Sequence, residues 1–205
     1  MPKQTFFNLE MKKRNTIIES AINEFSEKNY EQVHLSIIIK NAHIPRGSFY
    51  QYFEDKKDLY MYILDIIKEK KMTYLSDGFN RSDIDFLDQI ELLYELGIIF
   101  AIDYPKYVKV FDKLLNNKND IYHQLIAQNL EMAVEYYQAI IIKNIELGKV
   151  RADIDPKTLA QIVSELTSNV TIQDLDLNNP KESYQKMKAR IKHIINILRK
   201  GIQNE

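Results

Sequence analysis

Apolar residues recur at three- and four-residue spacing along almost the whole of this 205-residue chain, the period of helices that bury one face. Ile17, Ile18, Ala21, Ile22 and Phe25 form one stripe, with Lys12, Lys13, Arg14, Glu19 and Glu24 left for solvent. Leu35, Ile38, Ile39 and Ala42 repeat the pattern over a shorter segment, and Leu59, Ile63, Ile66 and Ile67 over a longer one. Between the last two stripes lie Ile44-Pro45-Arg46-Gly47-Ser48 and the aromatic run Phe49-Tyr50-Gln51-Tyr52-Phe53. The abundant isoleucines favour strands by propensity alone, but the period is helical. Stop and start signals divide the remainder. Asp77-Gly78 predicts the end of the third long helix, and Arg81-Ser82-Asp83 caps one over about 84–101. Pro105 opens a helix to about Leu115, and another over about 121–147 stops at Gly148. Asp155-Pro156 starts a helix to about Thr171, and Asn179-Pro180-Lys181-Glu182, a capping box, starts the last, over about 180–203. The expectation is an all-α chain of about nine helices.

Composition narrows the chemistry. Five glycines and five prolines suit continuous helices, and the lack of cysteine removes disulfides, thiolate zinc sites and cysteine nucleophiles while suiting a reducing cytoplasm. The longest apolar run, Leu96 to Ile102, falls far short of the ~20 residues of a membrane span, and Met1–Phe7 has no apolar segment of signal-peptide length. A cytoplasmic protein without a membrane partner is expected. The four histidines are dispersed, with His123 and His193 in different helices, so neither a metal nor another cofactor is expected. No nucleophile elbow, phosphate loop or His-Glu-x-x-His is present, which speaks against an enzyme. A net charge of −1 argues against a nucleic-acid partner only when the chain is taken whole. Residues 1–57 carry nine basic and seven acidic side chains, net +2, while 58–205 carry 19 and 22, net −3.

Three helices within the first seventy residues, the middle two short and joined by a tight turn, make a helix-turn-helix candidate over about 34–53. Ile44 would plug the turn, and Phe49 and Phe53 would bury the recognition helix against the first helix. Arg46 could then fork onto a phosphate or onto guanine O6 and N7, while Ser48, Gln51 and Tyr52 reach base edges or sugar-phosphate and Tyr50 donates to a phosphate oxygen. Gly47 leaves room for backbone to approach DNA. Lys56 lies at the start of the next helix, whose N–H groups favour a phosphate. A helical interaction module or a small enzyme that selects no DNA is the competing class.

The stretch from Ile38 to Leu59 resembles the DNA-binding domain of the tetracycline-repressor (TetR) family of bacterial transcription regulators: Ala42, Gly47, Tyr50, Phe53, Lys56 and Leu59 match its pattern position for position. Ile18–Tyr30 resembles the family's first helix and the turn after it, and Gly148–Pro156 its approach to the eighth helix. His43 departs from the pattern at the usual turn glycine, Ile39 at an alanine, and Val33-His34 at threonines that cap the second helix and touch phosphate. The resemblance implies a DNA-binding head over 1–70 that uses His34, Ser36, Pro45, Arg46, Gly47, Ser48, Tyr50, Gln51, Tyr52 and Lys56, on an effector-binding and dimer-forming body over 71–205. An apolar or aromatic effector would sit among Phe86, Ile90, Tyr94, Phe100, Tyr107, Phe111, Tyr136, Tyr137 and Ile140. A homodimer would form through Leu159, Ile162, Val163, Leu166, Val170, Met187, Ile191, Ile194, Ile195 and Leu198, although part of both stripes must be core of a single chain. Two recognition helices would enter major grooves ~34–36 Å apart on a palindromic double-stranded operator, and effector binding would move the connecting helix, about 57–76.

Overall fold

The structure, a computed structural model, describes residues 1–81, 83–117, 120–173, 176 and 179–202; the side chains of 124, 126–130, 166–173, 180 and 202 lie outside that description. Its helices are α1 (Gln4–Phe7), α2 (Met11–Glu27), α3 (Leu35–Asn41), α4 (Arg46–Tyr52), α5 (Lys56–Phe79), α6 (Phe86–Asp103), α7 (Pro105–Asn117), α8 (Asp120–Glu146), α9 (Pro156–Gln173) and α10 (Pro180–Ile202). A 3-10 turn, Tyr30–Gln32, joins α2 to α3, and no strand occurs among the described residues. The all-α expectation holds. Beyond the nine anticipated helices lie α1 and the 3-10 turn, both too short to show a period. The chain forms two compact units, one of Met1–Lys71 with Tyr104–Asn119, the other of Met72–Asp103 with Asp120–Glu205.

In the second unit α9 packs on α8 and α10 on α6, while α6 also touches α8 and α9. Phe86, Leu87, Ile90, Tyr94 and Ile98 of α6 meet Ile141 of α8, Val163 of α9 and Ile191 of α10 in one core. Of the residues expected at a dimer seam, Leu159, Val163, Met187, Ile191 and Ile195 are each at most 4% exposed within a single chain. They are therefore core: α6 and α8 cover the faces that periodicity had left without a partner. Ile194 and Leu198 are half-buried, Ile162 is 43% exposed, and the neighbouring Ile197 is 72% exposed. Leu166 and Val170 lie outside the described side chains. Gly78 does not end α5, which runs on to Phe79; a Cβ at Gly78 would stand 2.7 Å from a Leu93 methyl, so glycine there permits close approach to α6. The carbonyls of Gly78 and Phe79 accept from the buried Gln89 amide at 3.0 and 3.3 Å, which supplies the cap that the helix end needs. Arg199 on α10 forks to Asp85 at 2.8 Å and to Asp88 at 2.5 Å, where α6 begins. At the end of α8, Gly148 takes φ +71°, the left-handed stop expected there, and its bond to Ile145 with that of Lys149 to Asn144 makes a Schellman motif.

The first unit holds α2 at its centre, with α3 and α7 packed against it. The division at 70/71 had assigned α7 to the body. Its Val110 and Leu114 are buried, and its polar edge meets α2, with Lys106 Nζ 2.6 Å from Asn23 Oδ1 and Lys109 Nζ 3.5 Å from Glu27. Asn117 continues the contact to Glu31 in the 3-10 turn.

The turn between α3 and α4 carries its own geometry. His43 donates to Lys40 and Ile44 donates to Ile39, the two bonds of a Schellman motif, and His43 occupies its left-handed position at φ 52°. Ile39 and Ile44, the pair such a motif brings together, are both buried. Histidine tolerates this backbone better than most residues but still carries a steric cost of ~1–2 kcal/mol. His43→Gly removes that cost and adds ~0.4–1 kcal/mol of unfolded-state entropy. The expected outcome is a net gain of ~0.5–1 kcal/mol in unfolding free energy, read from urea denaturation.

Candidate nucleic-acid interface

The first turns of α3 and α4 set which side chains can meet DNA. His34, Ser36, Pro45, Arg46, Gly47, Tyr50 and Gln51 are exposed, and Ser48 is half-buried. Behind them Phe49 and Phe53 are fully buried and stacked at 5.4 Å, which fixes the face that α4 turns outward. Tyr50, 44% exposed, stands edge-on to Phe49 at 5.3 Å, so its ring is oriented while part of the side chain faces solvent. Arg46 heads the helix and makes no ion pair among the described residues, leaving its guanidinium available to phosphate or guanine.

Two expected contacts are corrected by the packing. Tyr52 is only 6% exposed and lies 6.2 Å from the Phe6 ring, so it belongs to the aromatic core and not to the reading face. Lys56 turns inward. Its Nζ donates to the carbonyls of Tyr30 at 2.8 Å and Val33 at 3.1 Å and stands 4.5 Å from the centre of the Tyr30 ring. The start of α5 is occupied by the chain's own carboxylates: Asp55 accepts from the Asp58 amide at 2.8 Å and Asp58 accepts from the Glu54 amide at 3.1 Å. A phosphate would meet the Asp55 carboxylate there, and Asp58 is already paired with the N-terminal ammonium of Met1. His34 sits at the N-cap of α3 with no side-chain cap bond, so it does not replace a capping threonine.

The N-terminal segment enters this site. The Lys3 amide donates to the Tyr52 carbonyl at 2.8 Å, Lys3 Nζ to the Tyr50 carbonyl at 2.9 Å, and the Thr5 hydroxyl to the Gln51 carbonyl. Phe6 is fully buried and touches Phe53, Tyr62 and Tyr52. An aromatic pair at positions 6 and 7, far from any helical stripe, was the signal available for it.

The residues expected around an effector divide between the units. Phe86, Ile90, Tyr94, Phe100, Tyr136, Tyr137 and Ile140 lie in the second, while Tyr107 and Phe111, on α7, lie in the first. Phe86, Ile90 and Tyr94 share one core with Tyr137 and Ile140 packed against it. Tyr136 stands edge-on to Phe79 at 5.0 Å, and its phenol pKa is raised by burial and then by Tyr137. Tyr107 leans on Tyr104 at 5.1 Å, and Phe111 is half-buried.

Charge separates more sharply by unit than by a single cut in the sequence. The first unit carries 16 basic and 11 acidic residues, net +5, and the second 12 and 18, net −6. The positive charge thus gathers on the unit that bears α3 and α4, as a phosphate-binding surface requires.

A short helix with an oriented outer face, on a net-positive helical unit, is the architecture of a helix-turn-helix DNA-binding protein. Residues 17–63 match the family model described as "Bacterial regulatory proteins, tetR family". Over its whole length the chain is 28% identical to the crystal structure of a TetR family transcriptional regulator from Chloroflexus aurantiacus, covering 100% of both chains with a TM-score of 0.74. It is 27% identical over 127 residues to IcaR of Staphylococcus aureus, the negative transcriptional regulator of the biofilm operon icaADBC. That match takes in 60% of this chain and 66% of IcaR, just under two thirds of its length. FadR from Bacillus subtilis, solved in complex with stearoyl-CoA, shares the fold at 17% identity and a TM-score of 0.71, over 88% of this chain and 96% of its own. Residues 17–63 thus carry the DNA-binding pattern of the TetR family, and the chain as a whole is similar to a bacterial transcriptional regulator of that family.

Two substitutions separate the roles described above. A Cβ at Gly47 meets nothing within 4 Å, so Gly47→Ala should raise unfolding free energy by up to ~1 kcal/mol, yet lower DNA affinity if backbone closely approaches DNA there. A denaturation curve and a DNA titration on the same sample report both. Lys56→Met keeps the aliphatic stem but loses two carbonyl acceptors, and should cost ~1.5–3 kcal/mol of stability without altering the salt dependence of DNA binding. A salt slope reduced by about one unit would instead return Lys56 to the phosphate backbone.

Proposed function

We propose that this protein is a cytoplasmic repressor that binds a palindromic DNA operator as a homodimer and leaves it when a small apolar effector occupies the second unit. The outward row of Arg46, Gly47, Tyr50 and Gln51 on the net-positive unit carries this reading. Arg46 would read guanine or grip phosphate, Gln51 a base edge, and Tyr50 and Ser36 the sugar-phosphate backbone. Repression is supported by the likeness to IcaR, a negative regulator. For the effector we favour a molecule with a long acyl chain, supported by the apolar packing of α6 and by the stearoyl-CoA bound to FadR. No catalytic step is assigned to the chain. Among the described side chains of α9 and α10, exposed Ile162 and Ile197 and half-buried Ile194 are apolar surface available to a second copy.

Release needs only that the effector prefer the DNA-free state, and moving nearly all of the protein from one state to the other takes ~5.5 kcal/mol of differential affinity. Two routes lead to the head: α5, which runs through residues 71 and 72 at the unit boundary, and the two ends of α7.

Genomic fragments retained by the purified protein should share a palindrome, and titrating one of them with and without stearoyl-CoA at fixed salt tests release. Arg46→Ala should weaken binding by about 5- to 150-fold, equivalent to ~1–3 kcal/mol. Retention of every fragment alike, or an unchanged affinity for Arg46→Ala, would remove the assignment. Binding that stearoyl-CoA leaves untouched would remove the acyl effector alone.

A further inference from the structure

Seven residues make a helix of two turns, whereas isolated helices shorter than ~12–15 residues are marginal in water. Helix α4 also contains Gly47 and must present side chains in a fixed direction. Its last four carbonyls, those of Phe49, Tyr50, Gln51 and Tyr52, have no partner inside the helix. Helices α3 and α8 meet this need with Schellman turns, but α4 does not: Phe53 at its C-cap is extended, at φ −129° and ψ 150°, and fully buried. The Phe53 amide reaches only the Phe49 carbonyl, at 2.9 Å.

The other three carbonyls are taken by residues some fifty positions earlier. Lys3 Nζ serves Tyr50, the Thr5 hydroxyl serves Gln51, and the Lys3 amide serves Tyr52. Phe6, 4.9 Å from Phe53 and 5.5 Å from Tyr62, anchors α1 in the aromatic core so that these donors are held in place. Tyr50 and Gln51, whose carbonyls accept from Lys3 and Thr5, are also the residues whose side chains face outward from the last turn.

We propose that Lys3, Thr5 and Phe6 form a positioning segment for the recognition helix. The segment fixes the last turn of α4 and thereby the direction of Tyr50 and Gln51, so it contributes to discrimination between DNA sequences and not to general attraction for phosphate. This rests on the DNA-binding reading above. Thr5 is exposed, so its replacement leaves the core intact, and valine preserves its shape while removing the donor.

The test uses the full chain as wild type, Thr5→Val and Thr5→Ser, titrated at several salt concentrations against the selected operator and against a random duplex of equal length. Thr5→Val should lose about five- to tenfold in operator affinity, the size expected for one hydrogen bond in each of two subunits, and less than about twofold on random DNA. The salt slope should stay constant, Thr5→Ser should restore operator affinity, and the amides at the end of α4 should exchange faster in free Thr5→Val. Equal losses on both duplexes, a lower salt slope, or unchanged operator affinity would each overturn the positioning role. A wild-type protein that selects no operator would overturn the DNA-binding reading itself, a result separate from the other three.

Discussion

A two-turn helix does not hold its shape in water, and α4 is such a helix. The surrounding head can be understood as the set of contacts that compensates for this. A Schellman turn with His43 at its left-handed position delivers the chain to Pro45 and Arg46, and buried Ile39 and Ile44 close the hydrophobic side of that turn. Phe49 and Phe53 support α4 from beneath, and Lys3 and Thr5 complete its far end. Lys56 ties the start of α5 to the carbonyls of Tyr30 and Val33, so the connection entering α3 and the helix leaving α4 share one fastening. Each contact is individually modest, and together they hold one outward face.

Charge follows the same logic of placement. A protein with net charge −1 has no general attraction for a polyanion, yet its two units differ by eleven charges. Several acidic groups of the head are already engaged: Glu24 with Lys28, Glu27 with Lys109, and Asp55 and Asp58 with the backbone at the start of α5. The basic groups of the reading face are less committed, Arg46 above all. A local surplus and selective neutralisation of carboxylates achieve what the overall composition conceals.

Helix positions were legible because a stripe such as Ile17, Ala21 and Ile22 states that one face is buried. What buries it is set by partners distant in the chain, which a stripe does not name. The stripes of α9 and α10 fit an intermolecular seam and a single-chain core equally well, and contact with α8 and α6 decides for core at Leu159, Val163 and Ile191. The amphipathic face of α7 was visible, but its partner α2 lies some eighty positions earlier. Tyr52 and Lys56 are ambiguous in sequence because tyrosine and lysine carry both apolar and polar surface, and only the neighbouring Phe6 and Tyr30 show which is used. Four-residue α1 shows no period and could not be seen at all.

The inclusion of α7 in the first unit has a consequence for inheritance. A head made solely of the first seventy residues could be exchanged between proteins by one recombination event, since a single junction would carry it complete. Here the chain passes from one unit to the other three times, after Lys71, after Asp103 and after Asn119. A new N-terminal segment grafted at the first junction would arrive without Val110 and Leu114 and would have to accept an α7 evolved against another α2. Substitution at exposed positions such as Arg46, Tyr50 and Gln51 needs no such rematching of α2 with α7, so the outward face can vary while the core beneath it stays the same.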